Sequence, residues 1–398
     1  MSARTVLISG AGIAGSALAH WLLQCGFTPV IVERADSFRE GGYIMDFWGV
    51  GFDAAERMNL ISDLRDRSYH PTEVKLLDNQ SRRTGGFCTE IFKKQLGDRF
   101  FSILRGDMAA VIYAKIKNSV EVIFGDSIDS IEANADGAYV RFERGRPRQF
   151  DLVIGADGLH SRVRKLMMPS NAVPYKYLGY YCAAFSTEGY EPRDEGSYVS
   201  YSAPGQMIAR YALRNNKTVF FFTFASKHEM QYDHRDRQGA QRILTEKYSQ
   251  SPWIEVPAIL RAMRTSDDLY FDAVSQIRLE QWHKGPIALV GDAAYCPSLL
   301  AGQGSAFALA GAYVLAEELK NAGGDFSAAF DQYQSVLQGF VQKKQLAAEN
   351  FGGWFAPSSW LAIKFRDKMT QLFGLPIVGR KIISRALEDK LNLPRYSD

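Results

Sequence analysis

The chain holds 398 residues, 46% hydrophobic and 23% charged, a composition ordinary for a folded globular protein and long enough for two or three domains. Its 47 basic and 44 acidic residues leave a net charge of +3 with no long single-sign block, so no nucleic-acid surface is implied, and the basic Arg141–Arg148 run reads as solvated hairpin ends. No apolar run reaches the roughly 18 residues of a membrane span, Met1 to Arg4 lacks a secretory leader, four scattered cysteines read as reduced thiols, and the absence of HExxH and of a P-loop disfavours metallohydrolase and NTPase readings; a cytoplasmic protein is expected.

The first element is an apolar strand, Thr5 to Ser9, followed by Gly10-Ala-Gly12-Ile-Ala14-Gly15 and a helical run to Cys25. A second strand, Pro29 to Glu33, ends on an acid, with Arg34 next to it. Glycine turns of this kind also serve as plain connections, but strand, helix, second strand and terminal acid agree on a dinucleotide fingerprint. In it Gly10 permits the tight turn, Gly12 lets the backbone approach a pyrophosphate, Gly15 lets helix and strand pack, and Glu33 accepts from a ribose diol. The free N–H groups and dipole of the helix N-terminus favour the phosphates.

Further on, apolar spacing predicts a helix over Ile103–Ile116 with Arg105 at its mouth, a strand over Val120–Phe124, and a hairpin turning at Asp136-Gly137. Asp151 to Arg164 reads as a buried strand entering an acidic turn, Asp157-Gly158, and a basic helix start, with Asp157 either a ligand-facing acid or a helix cap. From Leu178 to Ala225 the pattern changes to aromatic-rich strands, a separate sheet. The strand Ile287–Val290 then leads into Gly291-Asp292-Ala-Ala-Tyr295-Cys-Pro297, the turn Gly302-Gln303-Gly304, and a helix through Leu319. An acid after a strand and a Gly-Gln-Gly before a helix suit a ribityl chain and the anionic edge of a reduced flavin, the alternative being another capped connection. Ser359–Phe373 and Ile377–Leu391 carry apolar residues at helical spacing, with Leu375-Pro376 breaking the chain between them. The last helix is read either as a cap or dimer contact, or as a lid over the substrate entrance.

These three motifs, in this order, resemble the class A flavoprotein monooxygenases, the family of para-hydroxybenzoate hydroxylase. The resemblance implies an α/β fold: a Rossmann-like FAD-binding domain interrupted by a β-sheet substrate domain, with C-terminal helices. The expected division is 1–70, 101–170 and 272–340 for FAD, 71–100 and 171–271 for the substrate sheet, and 341–398 for the helical segment. It further implies that Glu33 binds the adenosine ribose, that Arg105 lies near the pyrophosphate and ribityl chain, that Asp292, with Pro297 and Gly302 to Gly304, holds the flavin end, and that Asp157-Gly158 serves both FAD and the nicotinamide donor. Within the family, Arg39 and Gly41-Gly42-Tyr-Ile-Met-Asp46 resemble the tetracycline-inactivating monooxygenases, where the acid contacts FAD and the arginine NADPH. Tyr295, where histidine is common, and Met108, where leucine is usual, depart from the family and bear on substrate choice.

The implied activity is NADPH-driven reduction of FAD, reaction with O₂ to a C4a-hydroperoxyflavin, and transfer of one oxygen, with tetracycline-type antibiotics as substrate. Another aromatic or quinone-type metabolite, a flavin-dependent reduction on the same architecture, and a non-catalytic flavin protein are the alternatives. No side-chain nucleophile is required, and none of the six histidines is assigned a catalytic role. The small-molecule aromatic or polyketide substrate is expected between flavin and sheet, with Tyr198, Tyr201, Arg210, Phe222 and Phe224 as candidate contacts; alternation allows only a subset to face it. Arg210, a cation in an apolar strand, needs a partner, either an anionic substrate or a structural carboxylate. A monomer or weak dimer is expected.

Overall fold

The structure, a computed structural model, describes residues 4–38, 42–134, 137–168, 174–349, 352–372 and 391–395. Arg39, Asp136 and the Ile377–Leu391 segment expected to form the last helix therefore lie outside the described residues, apart from Leu391 itself.

The dinucleotide half is built on a six-stranded sheet. Its order is His283–Lys284, Ile287–Leu289, Leu152–Gly155, Thr5–Ser9, Thr28–Glu33 and Glu121–Phe124, parallel except at the first pair. The central strands read as continuous apolar runs because helices cover the sheet. The Ile13–Gln24 and Gly304–Asn321 helices pack together through Ala17, Leu18, Trp21, Ala312 and Leu315, all in one buried core. At the chain's end Leu393 enters this core, and Arg57 donates to the carbonyls of Leu393 (3.0 Å) and Pro394 (2.6 Å).

The substrate half is a seven-stranded sheet of order Tyr270–Ile277, Tyr175–Glu188, Lys217–Ala225, Gln206–Ala212, Ser197–Ala203, Glu73–Leu77 and Arg83–Cys88. It is antiparallel except where Ser197–Ala203 meets Glu73–Leu77. One face is covered by the Arg237–Tyr248 and Val256–Thr265 helices; the other faces the dinucleotide half.

Two local expectations shift. Ile103 and Leu104 are strand rather than helix, because they pair with Met45 and Ile44 in a two-stranded ribbon, and the helix begins at Arg105. Tyr295 is a core residue: its hydroxyl meets Tyr333 Oη at 3.0 Å, its ring lies 4.4 Å from Trp282, and Gly311 leaves it room, since a Cβ there would sit 1.9 Å from the phenol oxygen. Its departure from the family pattern is thus absorbed by packing.

Candidate active site

The glycine loop does what its spacing requires. Gly10 holds φ +105°, and a Cβ there would lie 2.7 Å from the Ala156 carbonyl oxygen. At Gly15 a Cβ would come within 1.9 Å of the Gly10 oxygen, so strand and helix meet backbone to backbone. At Gly12, by contrast, nothing among the described residues stands within 4 Å of a Cβ, nor does any of their side chains cap the helix it opens. The N–H groups of that first turn, Ala14 among them, are thus left for an anion. Glu33 is pinned by two backbone donors, Ala11 N to Oε2 at 2.8 Å and Ala35 N to Oε1 at 2.9 Å, and each oxygen keeps a lone pair for a hydroxyl. Arg34 beside it is exposed.

The second loop converges on the first. A Cβ on Gly291 (φ +65°) would stand 3.0 Å from Ala14 Cβ. Asp292 follows, and its Oδ1 lies where a Cβ on Gly304 would touch it at 3.4 Å, placing the carboxylate at the start of the 18-residue Gly304–Asn321 helix. That helix also lacks a side-chain cap; Gln303, buried, occupies the position. Burial raises the Asp292 carboxyl, against the pull of Arg105, of the Cys296 thiol bonded to it, and of Arg164. Arg105, first in its helix, donates its backbone N–H to the Tyr43 carbonyl at 3.0 Å and exposes its guanidinium. Between the loops Pro297 is held through its carbonyl, which accepts from Gln276 Nε2 at 3.0 Å, while Ser298 is buried at φ +114° and Gly302 takes the left-handed φ of +66°. A non-glycine residue at such a φ stores backbone strain where the two halves meet.

The cap of the Arg162–Met167 helix is Ser161, whose Oγ accepts from Arg164 N at 3.0 Å, and Asp157 supports it from the preceding turn. Asp157 Oδ2 accepts from the N–H groups of Arg162 (2.7 Å) and Val163 (3.1 Å), and its Oδ1 takes the Ser161 hydroxyl. Gly158, at φ +75° with nothing within 4 Å of a Cβ, is the part of the motif that leaves room for a ligand. Sequence reasoning missed Arg164: buried, it donates to the carbonyls of Ala293 (2.9 Å) and Leu159 (2.5 Å), tying the Asp157 turn to the Asp292 loop. The only sequence signal was an arginine at the inward position beside Val163 and Met167 of a short helix. His160, next in that turn, meets Asp272 at 2.9 Å and stacks on His234 at 4.2 Å.

The aromatic sheet requires a correction. Tyr201, Arg210, Phe222 and Phe224 lie on the face beneath the two helices, away from the dinucleotide half. Tyr201 stacks on Trp253 at 5.2 Å, and Phe222 meets Tyr248 edge-on at 5.1 Å. Arg210, 2% exposed, is clamped by Glu255 (2.8 Å) and Asp194 (2.7 Å), so its partners are structural carboxylates. Of the five, Tyr198 alone faces the cleft, its hydroxyl 3.5 Å from Asp46, which also takes the Ser102 hydroxyl at 2.6 Å. The residues on that face that sequence reasoning did not select are Phe221 and Tyr270, whose rings lie 6.4 and 5.9 Å from that of Tyr43, with Cys182 and Leu300 beside Phe221. Burial pushes the Tyr43 phenol up to about 12, so it keeps its proton at neutral pH.

Two uncapped helix starts with an acid beside each, and a set of aromatic side chains near the second, suit an elongated ligand carrying phosphates in its middle, sugar hydroxyls on either side and a planar ring system at each end. That is the form of flavin adenine dinucleotide, and it defines a flavoprotein. Residues 109–342 match the FAD binding domain family model. A flavin-dependent monooxygenase of Legionella longbeachae is 35% identical over 407 residues, covering 98% of both chains. A flavin-dependent monooxygenase from an unknown prokaryotic organism is 34% identical over 400 residues, again covering 98% of both. The crystal structure of the tetracycline destructase Tet(51) superposes with a TM-score of 0.85 at 31% identity, over 99% of this chain and 100% of that one. The chain belongs to the FAD-dependent monooxygenases of this family.

Asp292→Ala is expected to weaken FAD binding between about tenfold and a hundredfold, the loss of a charge-assisted hydrogen bond worth about 1.5–3 kcal/mol. Titrating FAD into apoprotein, with flavin fluorescence as readout, measures it; an unchanged Kd would remove Asp292 from the flavin site.

Proposed function

We propose that the enzyme uses NADPH and O₂ to oxygenate a tetracycline-type antibiotic and so inactivate it. The observation that carries this is the end-to-end structural match to a tetracycline destructase, with the substrate sheet included in the 99% of the chain that superposes.

When bound, FAD supplies electron transfer from NADPH and delivery of one oxygen atom from O₂ to an organic substrate. The chain's own residues then have the following parts. The N–H groups opened by Gly12 would hold the pyrophosphate, Glu33 the adenosine ribose, and Asp292 the ribityl chain. The dipole of the Gly304–Asn321 helix would favour negative charge on a flavin edge held at its start. Tyr43, Phe221, Tyr270 and Leu300 form a water-poor wall on which a fused, planar polyketide can lie, with Tyr198 and Asp46 as the polar pair beside it. Ser200 extends this set: it projects from the same face as Tyr198, two residues along the strand, and its buried hydroxyl has no hydrogen-bond partner among the described residues. Such a hydroxyl gains most from a substrate that supplies one.

The enzyme with NADPH and a panel of tetracyclines and simple phenols, followed by mass spectrometry, tests the substrate. The expected result is bleaching of the tetracycline chromophore and a product heavier by one oxygen or rearranged from it. Turnover of the phenols with every tetracycline recovered intact would overturn the substrate assignment and leave the enzyme class standing.

A further inference from the structure

Seven large apolar side chains are exposed among the described residues, and all but Ile254 fall between Leu346 and Leu372. Single exposed apolar residues are normal, but a concentration of this kind marks an interaction surface. Its centre is the Trp360–Leu372 helix. The inner side of that helix is fixed by buried polar contacts. Arg366 donates to Ser202 Oγ at 3.1 Å and to Asp367 Oδ1 at 2.9 Å, Asp367 Oδ2 takes the Thr84 hydroxyl at 2.6 Å, and Thr370 Oγ1 accepts from Gly86 N at 2.9 Å. A Cβ on Gly85 would stand 2.5 Å from the Asp367 carbonyl oxygen, so the helix lies directly on the sheet edge. Rolling it would break the bonds of Arg366 to Ser202, of Asp367 to Thr84 and of Thr370 to Gly86.

The outer side is therefore committed to whatever lies outside. It carries Leu361 (80% exposed), Phe365 (68%) and Leu372 (42%) at i, i+4 and i+11, with Trp360 (51%) next to them. Lys364 and Lys368 stand in the same exposed stripe, and neither pairs with an acid among the described residues. Asp367, the one acid of this helix, is turned inward. Aromatic and aliphatic side chains flanked by unpaired lysines are the composition of a helix lying in the headgroup layer of an anionic bilayer. A second copy of the chain would present the same two lysines to their counterparts, which charge complementarity disfavours. No helix among the described residues is long and apolar enough to cross a membrane, so the contact is one of adhesion.

We propose that the outer face of the Trp360–Leu372 helix docks the enzyme on anionic lipid surfaces. The FAD-loaded full-length protein is floated with phosphatidylglycerol/phosphatidylethanolamine vesicles and with phosphatidylcholine vesicles, over a range of salt. Binding to the anionic vesicles at low salt is expected, with at least a tenfold preference over the neutral ones and loss of binding as salt rises. Leu361→Gln/Phe365→Gln should lower vesicle affinity tenfold or more, and Lys364→Gln and Lys368→Gln about fivefold each, a loss of about 1 kcal/mol per lysine. All four sites are exposed, and unchanged flavin absorbance and Tm will verify the fold. Arg144→Gln/Arg146→Gln, on the distant hairpin, should leave binding unchanged. The proposal falls if the wild type stays unbound to anionic vesicles, if the helix variants bind as it does, if the hairpin variant loses binding equally, or if sedimentation shows a wild-type dimer that Leu361→Gln/Phe365→Gln disperses.

Discussion

Gly15→Ala is expected to abolish soluble, FAD-loaded protein. The added methyl would lie 1.9 Å from the Gly10 carbonyl oxygen and within 3.2 Å of Ile8, against backbone on one side and a buried strand on the other. No rotamer relieves a Cβ clash, and the strand cannot retreat because Thr5–Ser9 is paired on both edges. Overpacking ordinarily costs about 1–3 kcal/mol, and a contact with fixed backbone belongs at or beyond the upper end. Gly12→Ala is the informative contrast. Nothing stands within 4 Å of that Cβ, so Tm of the apoprotein should hold within a degree or two while FAD affinity falls, because the methyl enters the path of the pyrophosphate. Expression yield, Tm and the ratio of flavin to protein absorbance read both variants. A Gly15→Ala protein with wild-type Tm and flavin content would show that strand and helix do not meet as described.

The second large effect is on stability alone. Arg210→Met removes the cation from a buried cluster in which Glu255, 7% exposed, bonds both the guanidinium and the Tyr190 hydroxyl. Leaving a buried carboxylate unpaired costs about 3–5 kcal/mol, whereas Arg210→Met/Glu255→Leu should recover much of that loss. kcat and KM of the folded fraction should remain those of the wild type, because the cluster lies on the sheet face turned away from the dinucleotide half. A raised KM with unchanged Tm would return Arg210 to the substrate. Acid should narrow the gap between wild type and variant. Burial by itself would raise the Asp194 carboxyl, but Arg210 and Lys75 outweigh it and hold it below its ordinary value. A carboxyl lowered in the folded state contributes stability that is full above its unfolded pKa, about 4, and is lost as pH falls through the folded value. Denaturation midpoints of the two proteins should therefore converge as pH drops below about 4.

The dinucleotide half was legible because its signals are local. Turn glycines, an acid at a strand end and a glycine before a long helix are each set by neighbours within a few residues, and Gly10 and Gly15 stand where close backbone approach requires them. The sheet was legible as strands but not as faces. Alternation shows that Tyr198 and Tyr201 point to opposite sides, and only the helices 36 or more residues further on decide which side is covered. One of the two partners of Arg210, Glu255, likewise lies 45 residues away. Asp157 had two readings because a capping acid and a ligand-binding acid share one local pattern; it accepts from the N–H groups of Arg162 and Val163, while the cap position itself belongs to Ser161.

The parallel pairing of Ser197–Ala203 with Glu73–Leu77 bears on how new specificities arise on this scaffold. The long excursion of the chain leaves the six-stranded sheet after Leu152–Gly155 and returns beside it at Ile287–Leu289, which would make it a cassette exchangeable between relatives. Yet the outer two strands of the seven come from a segment a hundred residues earlier, and Lys75 and Glu73 reach across the seam to Asp194 and Ser197. Transplanting residues 175–277 by themselves would leave an unpaired hydrogen-bonding edge, the hazard that drives strands to aggregate. The heritable unit of substrate choice is two segments inherited together, so chimaeras should stay soluble only when residues 73–88 travel with the excursion.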